Sequence, residues 1–347
     1  MKKVLLTAAK LIFFLGIGVF FIWIFMRNIS PEDKKEIFHT FFHADYYWIL
    51  ISMVIGLLSH VSRTMRWMIL MEPMGYKPRF KNAFFGLMVG YLANLALPRL
   101  GEVTRCGVLT RYEKIPMQKS FGTVVTERAI DMISLLIIFI LNLIINLDKF
   151  AKFKETSIAK SAIEKYHNLQ HPGRLYIISG LVIVAIIVLF IKFRHKISHY
   201  KFYKSIKSII LGFGEGLKSL AKIKKPFWFF FHSVFIWFMY LLMAWVVFFS
   251  LPETSSLGLN VALAVLAFGS IGIIVVQGGI GIYPWIVAEI LVIFYIPQTK
   301  GYAMGWLLWT GQTLMIVVSG LTSMIVLPLI NNKKNGNALN PETENIK

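Results

Sequence analysis

Six runs of about 20 mostly apolar residues start near Leu5, Tyr47, Phe121, Leu175, Phe227 and Tyr302, each long enough to cross ~30 Å of hydrocarbon as a helix. Inside a bilayer the backbone must satisfy its own hydrogen bonds, which leaves helices or closed barrels. Continuous apolar runs of this length select helices, so the expected fold class is all-α: a polytopic integral membrane bundle with six full spans. Composition agrees, with 56% hydrophobic and only 16% charged residues, against roughly 25% charged in soluble domains. The first run, residues 5–26, exceeds a signal-peptide core and is followed by no small-residue cleavage site, so it reads as a retained helix.

The formal charge of +20 does not point to nucleic acid, because the basic residues gather in the loops between apolar runs. Residues 192–225 hold ten Lys/Arg against the single acid Glu215, which marks this loop as cytoplasmic. Counting outward places residues 148–174 and 251–256 outside, and residues 1–3 and 77–119 inside. The expected location is a bacterial inner membrane, with both termini cytoplasmic, and the expected partners are anionic phospholipid headgroups. A homo-oligomer or a partner membrane enzyme is the further partner considered. Within the basic loop, residues 206–220 alternate apolar and cationic positions at near-helical spacing, as a helix lying in the interface would. Residues 331–347 are polar and aperiodic and read as a disordered tail, leaving residues 1–330 as one transmembrane domain.

Two apolar stretches do not behave as ordinary spans. Residues 84–97 are too short and run into ALPRLGEVTR, where Pro98 and Gly101 interrupt a helix. Residues 257–294 are interrupted by QGGIGIYP, with Gly278, Gly279, Gly281 and Pro284. Each reads as a re-entrant broken hairpin, tolerated at membrane depth where protein or water surrounds the bare backbone. KIPMQKSF (114–121) resembles YIPQTKGY (295–302) about 181 residues later, each between a glycine-containing break and a long span. The halves, roughly 46–147 and 226–328, would begin with spans of opposite direction, the arrangement of an inverted repeat with a substrate site between halves.

TVVTERAIDMISLLIIFILN (123–142) carries three charges inside an apolar run. At 100° per residue, Glu127, Asp131, Ser134 and Asn142 fall within about 80° of one another, flanked by Thr123 and Arg128. A charge at the bilayer centre costs ~2.5 to 3.5 kcal/mol, so the group sits at the cytoplasmic boundary, pairs internally or lines a wet cavity. The boundary reading stands because residues 129–146 alone measure about 27 Å. The cavity reading stands because a second polar face, Ser52, Gly56, Ser59, Arg63 and Arg66, recurs at helical spacing in the run from Tyr47. Arg63 and Arg66 snorkelling to headgroups is the alternative for that face. PRLGEVTR adds Arg99, Glu102 and Arg105. An arginine fork suits bidentate phosphate binding, with carboxylates orienting it.

Residues 95–136, LALPRLGEVTR through TERAIDMISLL, resemble the lysylphosphatidylglycerol synthase transmembrane-region family of UPF0104-type, flippase-like domains. That first half carries a Pro–Gly–Glu–x2–Arg turn followed by a Glu–Arg helix, matched here by Pro98, Gly101, Glu102, Arg105, Glu127, Arg128 and Asp131. In the second half, VVQGGIGIYPWIVAE keeps Gly278, Gly279 and Gly281 but lacks the family's prolines, and Glu289 is the only nearby acid, so no charged site is transferred there. The resemblance implies a lipid-handling domain related to the part that moves aminoacylated phospholipid across the bilayer. It does not imply lysyl transfer.

Other chemistry is weakly signalled. Three His-x3-His pairs, His39/His43, His167/His171 and His195/His199, fall in expected loops without a carboxylate pattern, so no metal and no cofactor is expected. His60 reads as a hydrogen-bonded packing residue, and Cys106 is the only cysteine. No Walker A sequence appears. The expected function is flippase- or scramblase-like translocation of an anionic or aminoacylated phospholipid, or another lipid-linked substrate, with Arg105, Arg128, Arg63 and Arg66 binding the headgroup and Glu102, Glu127 and Asp131 orienting them. The alternatives are a membrane-embedded transferase with Glu102 or Asp131 as general base, and a non-catalytic partner subunit.

Overall fold

The computed structural model describes residues 29–97, 99–150 and 223–336, with residues 16, 19, 20, 22, 23 and 25–27. Most of the run from Leu5, the whole run from Leu175, the basic loop with its interfacial helix, Pro98, His167/His171 and His195/His199 lie outside the described residues. Those that are described form helices and turns only: α1 Pro31–Phe42, α2 Tyr46–Met71, α3 Phe80–Ala96, α4 Leu100–Glu113, α5 Met117–Ile145, α6 Pro226–Val247, α7 Leu259–Val275, α8 Ile282–Ile293 and α9 Gln298–Gly336. Four segments built on α2, α5, α6 and α9 are long and apolar enough to cross a membrane, and they coincide with the runs expected near Tyr47, Phe121, Phe227 and Tyr302. The chain is a multi-pass membrane protein. The last helix continues through Gly336, six residues into the stretch expected as a tail.

α1 was not anticipated, and His39 lies on it rather than in a loop, with His43 as its C-cap. Its start was written in SPED: Ser30 caps the Asp33 N–H, Pro31 takes the first turn, and Glu32 and Asp33 complement the helix dipole. Lys300 of α9 holds α1 down through Thr40 and Glu36.

Both broken stretches are hairpins of two short helices, α3–α4 and α7–α8. The breaks share a backbone recipe. Leu97 is extended and Arg99 left-handed at φ 64°, ψ 2°; Val276 is extended and Gly278 left-handed at φ 67°, ψ 2°. Gly279 and Gly281 also have positive φ, which glycine adopts without steric cost. Gly101 serves differently from expectation. It is the second residue of α4, and a Cβ there would lie 2.0 Å from the Gly90 carbonyl oxygen, so its bareness lets α3 and α4 close on each other. Pro284 likewise does not break a helix; it sits in the first turn of α8, where its missing N–H costs nothing.

Each hairpin ends on a second left-handed residue, Lys114 or Tyr295, followed by Ile-Pro and the next long helix. Arg99 to Gly278 is an offset of 179 residues and Lys114 to Tyr295 one of 181, so the order span, broken hairpin, Ile-Pro, span is repeated in backbone geometry.

Packing repeats as well. α2 lies against α6, and they run antiparallel, because Ser52 donates to the Met243 carbonyl while Arg66, further along α2, reaches back to Ser233. The last span of each half then packs on the first hairpin helix of the other: α9 on α3, and α5 on α7. Apolar contacts fill the joints, notably Phe248, Val265, Leu291 and Leu307 in one cluster and Trp67, Met71, Cys106 and Leu109 in another. The hairpin tips approach at the centre, where a Cβ on Gly278 would lie 3.9 Å from Leu95.

Candidate functional site

Glu127 and Asp131 are one turn apart on α5 and share a face. Asp131 stands fourteen residues from either end of that helix, about 21 Å at 1.5 Å per residue. A carboxylate so placed requires a partner, and α2 supplies two. Arg63 Nη1 donates to Glu127 Oε1 at 2.9 Å and to Asp131 Oδ2 at 2.6 Å. Arg66 Nη2 donates to Asp131 Oδ1 at 2.6 Å. From α4, Arg105 Nη1 donates to Glu127 Oε2 at 3.0 Å. Arg63, Arg66, Arg105 and Glu127 are all buried, Arg66 and Glu127 completely.

Of the three outcomes open to the charged stripe, the structure supplies internal pairing. Arg63 and Arg66 do not snorkel: their guanidinium groups point into the bundle toward α5. Ion pairs this deep hold only when each carboxylate oxygen meets a guanidinium N–H and further contacts take up part of what the arginines still offer. α6 provides those, Tyr240 accepting from Arg63 Nη2 and Ser233 from Arg66 Nη1, both at 3.3 Å. Trp67 supports Arg105, with its ring 4.7 Å from the guanidinium carbon, and is itself fixed by donating to Thr123 Oγ1 at 2.9 Å.

Arg128 lies at the rim. It pairs with Glu102 at 3.0 Å, and 44% of its side chain is exposed. Together Glu102, Arg105 and Arg128 line one narrow crevice with Tyr91, Asn94 and Gly101. It leaves no room for a free water. Asn94 helps to hold the hairpin shut by accepting from the Gly101 N–H at 2.7 Å.

The constellation carries four arginines against three carboxylates, one positive charge in excess. Spare donors remain within it: Arg105 Nη2 is buried with no hydrogen-bond partner, as are Arg63 Nε and Arg66 Nε. An anion entering the crevice between Arg105 and Arg128 would neutralise the excess and occupy Arg105 Nη2.

His60 corrects an expectation. It is buried against the Tyr91 ring at 4.7 Å, but neither ring nitrogen has a hydrogen-bond partner. The contributions of Tyr240, Ser233 and Trp67 were not foreseen. Tyr240 and Ser233 lie on an aromatic run with no polar period to mark them. The second half builds no matching cluster: its hairpin contains no arginine, Glu289 accepts from Gln298 at 2.8 Å, and the Gly278 carbonyl accepts from Trp309. Among the described residues no three of His, Cys, Asp or Glu gather to hold a metal ion.

Residues 8–320 match the family described as the lysylphosphatidylglycerol synthase TM region, and the chain belongs to that family. A UPF0104 membrane protein of Methanocaldococcus jannaschii is 28% identical over 134 residues, which is 38% of this chain and 38% of that protein. The match thus spans well under half of the relative's length. No solved structure matches the chain.

Proposed function

We propose that this member of the lysylphosphatidylglycerol synthase transmembrane-region family binds the phosphate of an anionic or aminoacylated phospholipid, or of another lipid-linked substrate, and carries the headgroup across the bilayer. The observation that carries the reading is the buried excess of one arginine, with a spare Arg105 donor facing a crevice that Arg128 shares at the rim. A planar fork presenting parallel N–H groups matches phosphate geometry, and a low-dielectric surround strengthens the contact. Arg128 would meet the phosphate first and release Glu102. Arg105, stacked on Trp67, would receive it deeper. Arg63, Glu127, Arg66 and Asp131 would form the fixed charged floor, while the acyl chains stay in lipid.

A transferase using Asp131 as general base fits less well, since both of its oxygens are already engaged by arginine N–H groups. On the positive-inside argument, the arginine-lined mouth faces the cytoplasmic leaflet of an inner membrane.

The test is purified protein in liposomes holding labelled anionic phospholipid in one leaflet. Wild type is expected to speed exchange between leaflets, Arg128→Ala to slow it strongly, and Arg105→Lys, which keeps charge but loses the fork, to slow it as well. Exchange equal to that of empty liposomes would remove the proposal.

A further inference from the structure

Two asparagine clasps join the halves, one near each end of α5. At the first, Asn82 in the opening turn of α3 and Asn331 late in α9 exchange side-chain hydrogen bonds: Asn331 Nδ2 donates to Asn82 Oδ1 at 2.9 Å and Asn82 Nδ2 to Asn331 Oδ1 at 3.2 Å. Glu113, at the end of α4, steadies the pair by accepting from Asn82 Nδ2 and from Arg79 Nε. At the second, Asn260 in the opening turn of α7 and Asn146 at the end of α5 pair in a similar way: Asn260 Nδ2 donates to Asn146 Oδ1 at 3.2 Å, and Asn146 Nδ2 donates to the Asn260 backbone carbonyl at 3.0 Å. Asn142 steadies this pair by accepting from Asn146 at 2.9 Å.

These clasps are counterparts in the repeat. Asn82 and Asn260 begin the first hairpin helix of each half, and Asn331 and Asn146 end the last span of the opposite half. Glu113 lies four residues before Met117, the first residue of α5, and Asn146 immediately follows its last. The clasps are therefore separated by the length of α5, about 43 Å, with Glu127 and Asp131 between them. Asn82 and Asn146 are almost fully buried, at 1% exposure each, while Asn331 is half-buried and Asn260 exposed, so each clasp seats one buried amide against a partner nearer the surface.

From this arrangement we infer that the clasps are the two gates of an alternating-access device, each closing one side of the bundle over the arginine site. Amide pairs suit that duty. A hydrogen bond exchanged for bonds to water or a headgroup changes the free energy little, so the amide pairs themselves add little to the cost of opening, and when closed each pairs its buried amide, leaving Asn142 Nδ2 beside the second clasp without a partner. In this structure both are shut, in keeping with a crevice that excludes water. The inference adds to the lipid-translocation reading, but its test does not need that reading to hold.

The test places one reporter cysteine in the crevice lining, Leu87→Cys, in a Cys106→Ala background, and labels it with a membrane-impermeant maleimide in vesicles of either orientation. Asn82→Ala is expected to raise labelling about tenfold, the factor for losing one to two net hydrogen bonds, from one side only. Asn146→Ala should raise it from the opposite side only. Asn331→Ala opens the first clasp from its other partner and should reproduce the Asn82→Ala pattern, which guards against misfolding of either variant. Equal labelling from both sides, or no change in any variant, overturns the inference. Lipid exchange on the same variants separates the two proposals: side-specific labelling without exchange leaves the gates and removes the lipid, and exchange with labelling that ignores sidedness does the reverse.

Discussion

Arg63 and Glu127 meet at 2.9 Å with 5% and 0% of their side chains exposed, joining α2 to α5 in the interior of a membrane bundle. Glu127 spends its other oxygen on Arg105, so one carboxylate ties a long span to another and to a broken hairpin. Neutralising it would leave buried Arg105 without a carboxylate and take one of two from Arg63, whereas the rim pair Arg128–Glu102 has water to fall back on. Glu127→Gln is therefore expected to cost about 3–5 kcal/mol and Glu102→Gln under about 1 kcal/mol. Denaturant unfolding in detergent micelles compares them, and equal losses would mean that the interior pairs are solvated.

The hairpin α3–α4 depends on a bare backbone where Gly90 meets Gly101. A methyl at Gly101 would collide with a carbonyl oxygen that cannot rotate away, so Gly101→Ala is expected to lose about 3 kcal/mol or to abolish folded yield. Gly107, on the same helix, has nothing within 4 Å of its added Cβ, and Gly107→Ala should gain about 0.5–1 kcal/mol. Thermal melting of both variants decides whether close approach, rather than glycine content, matters.

Arg99 holds a left-handed conformation that its counterpart in the other half gives to Gly278. Arg99→Gly is expected to raise stability by up to about 1 kcal/mol by removing that strain. A clear loss of melting temperature would show that the Arg99 side chain contributes more to the fold than its backbone costs.

His60 is buried with two unpartnered ring nitrogens, a desolvation cost that an aromatic hydrocarbon of similar shape does not carry. His60→Phe should therefore be neutral or stabilising by about 1 kcal/mol in a melting experiment. Strong destabilisation would reveal a hydrogen bond formed by the ring in solution.

Much of the architecture was legible in the chain because hydrocarbon thickness and backbone satisfaction act on each segment alone. The runs from Tyr47, Phe121, Phe227 and Tyr302 became helices long and apolar enough to cross a membrane, and QGGIGIYP became a break because its glycines accept positive φ. Helix α1 was missed although SPED announces it, since a 12-residue helix lies below the length a membrane span requires. The polar stripe of α5 was legible too, from the spacing of Glu127 and Asp131.

The sequence by itself determined that this chain enters a membrane, where it crosses, and that charges inside those crossings must find partners, because these follow from the local cost of apolar and polar groups. Which partners they find was decided only by tertiary structure. Arg63, Arg66 and Arg105 converge on Glu127 and Asp131 across gaps of 22 to 68 residues, and Asn82 meets Asn331 across 249. Such pairings depend on how the long helices and the two hairpins pack, and no local free-energy term in a linear run encodes that geometry.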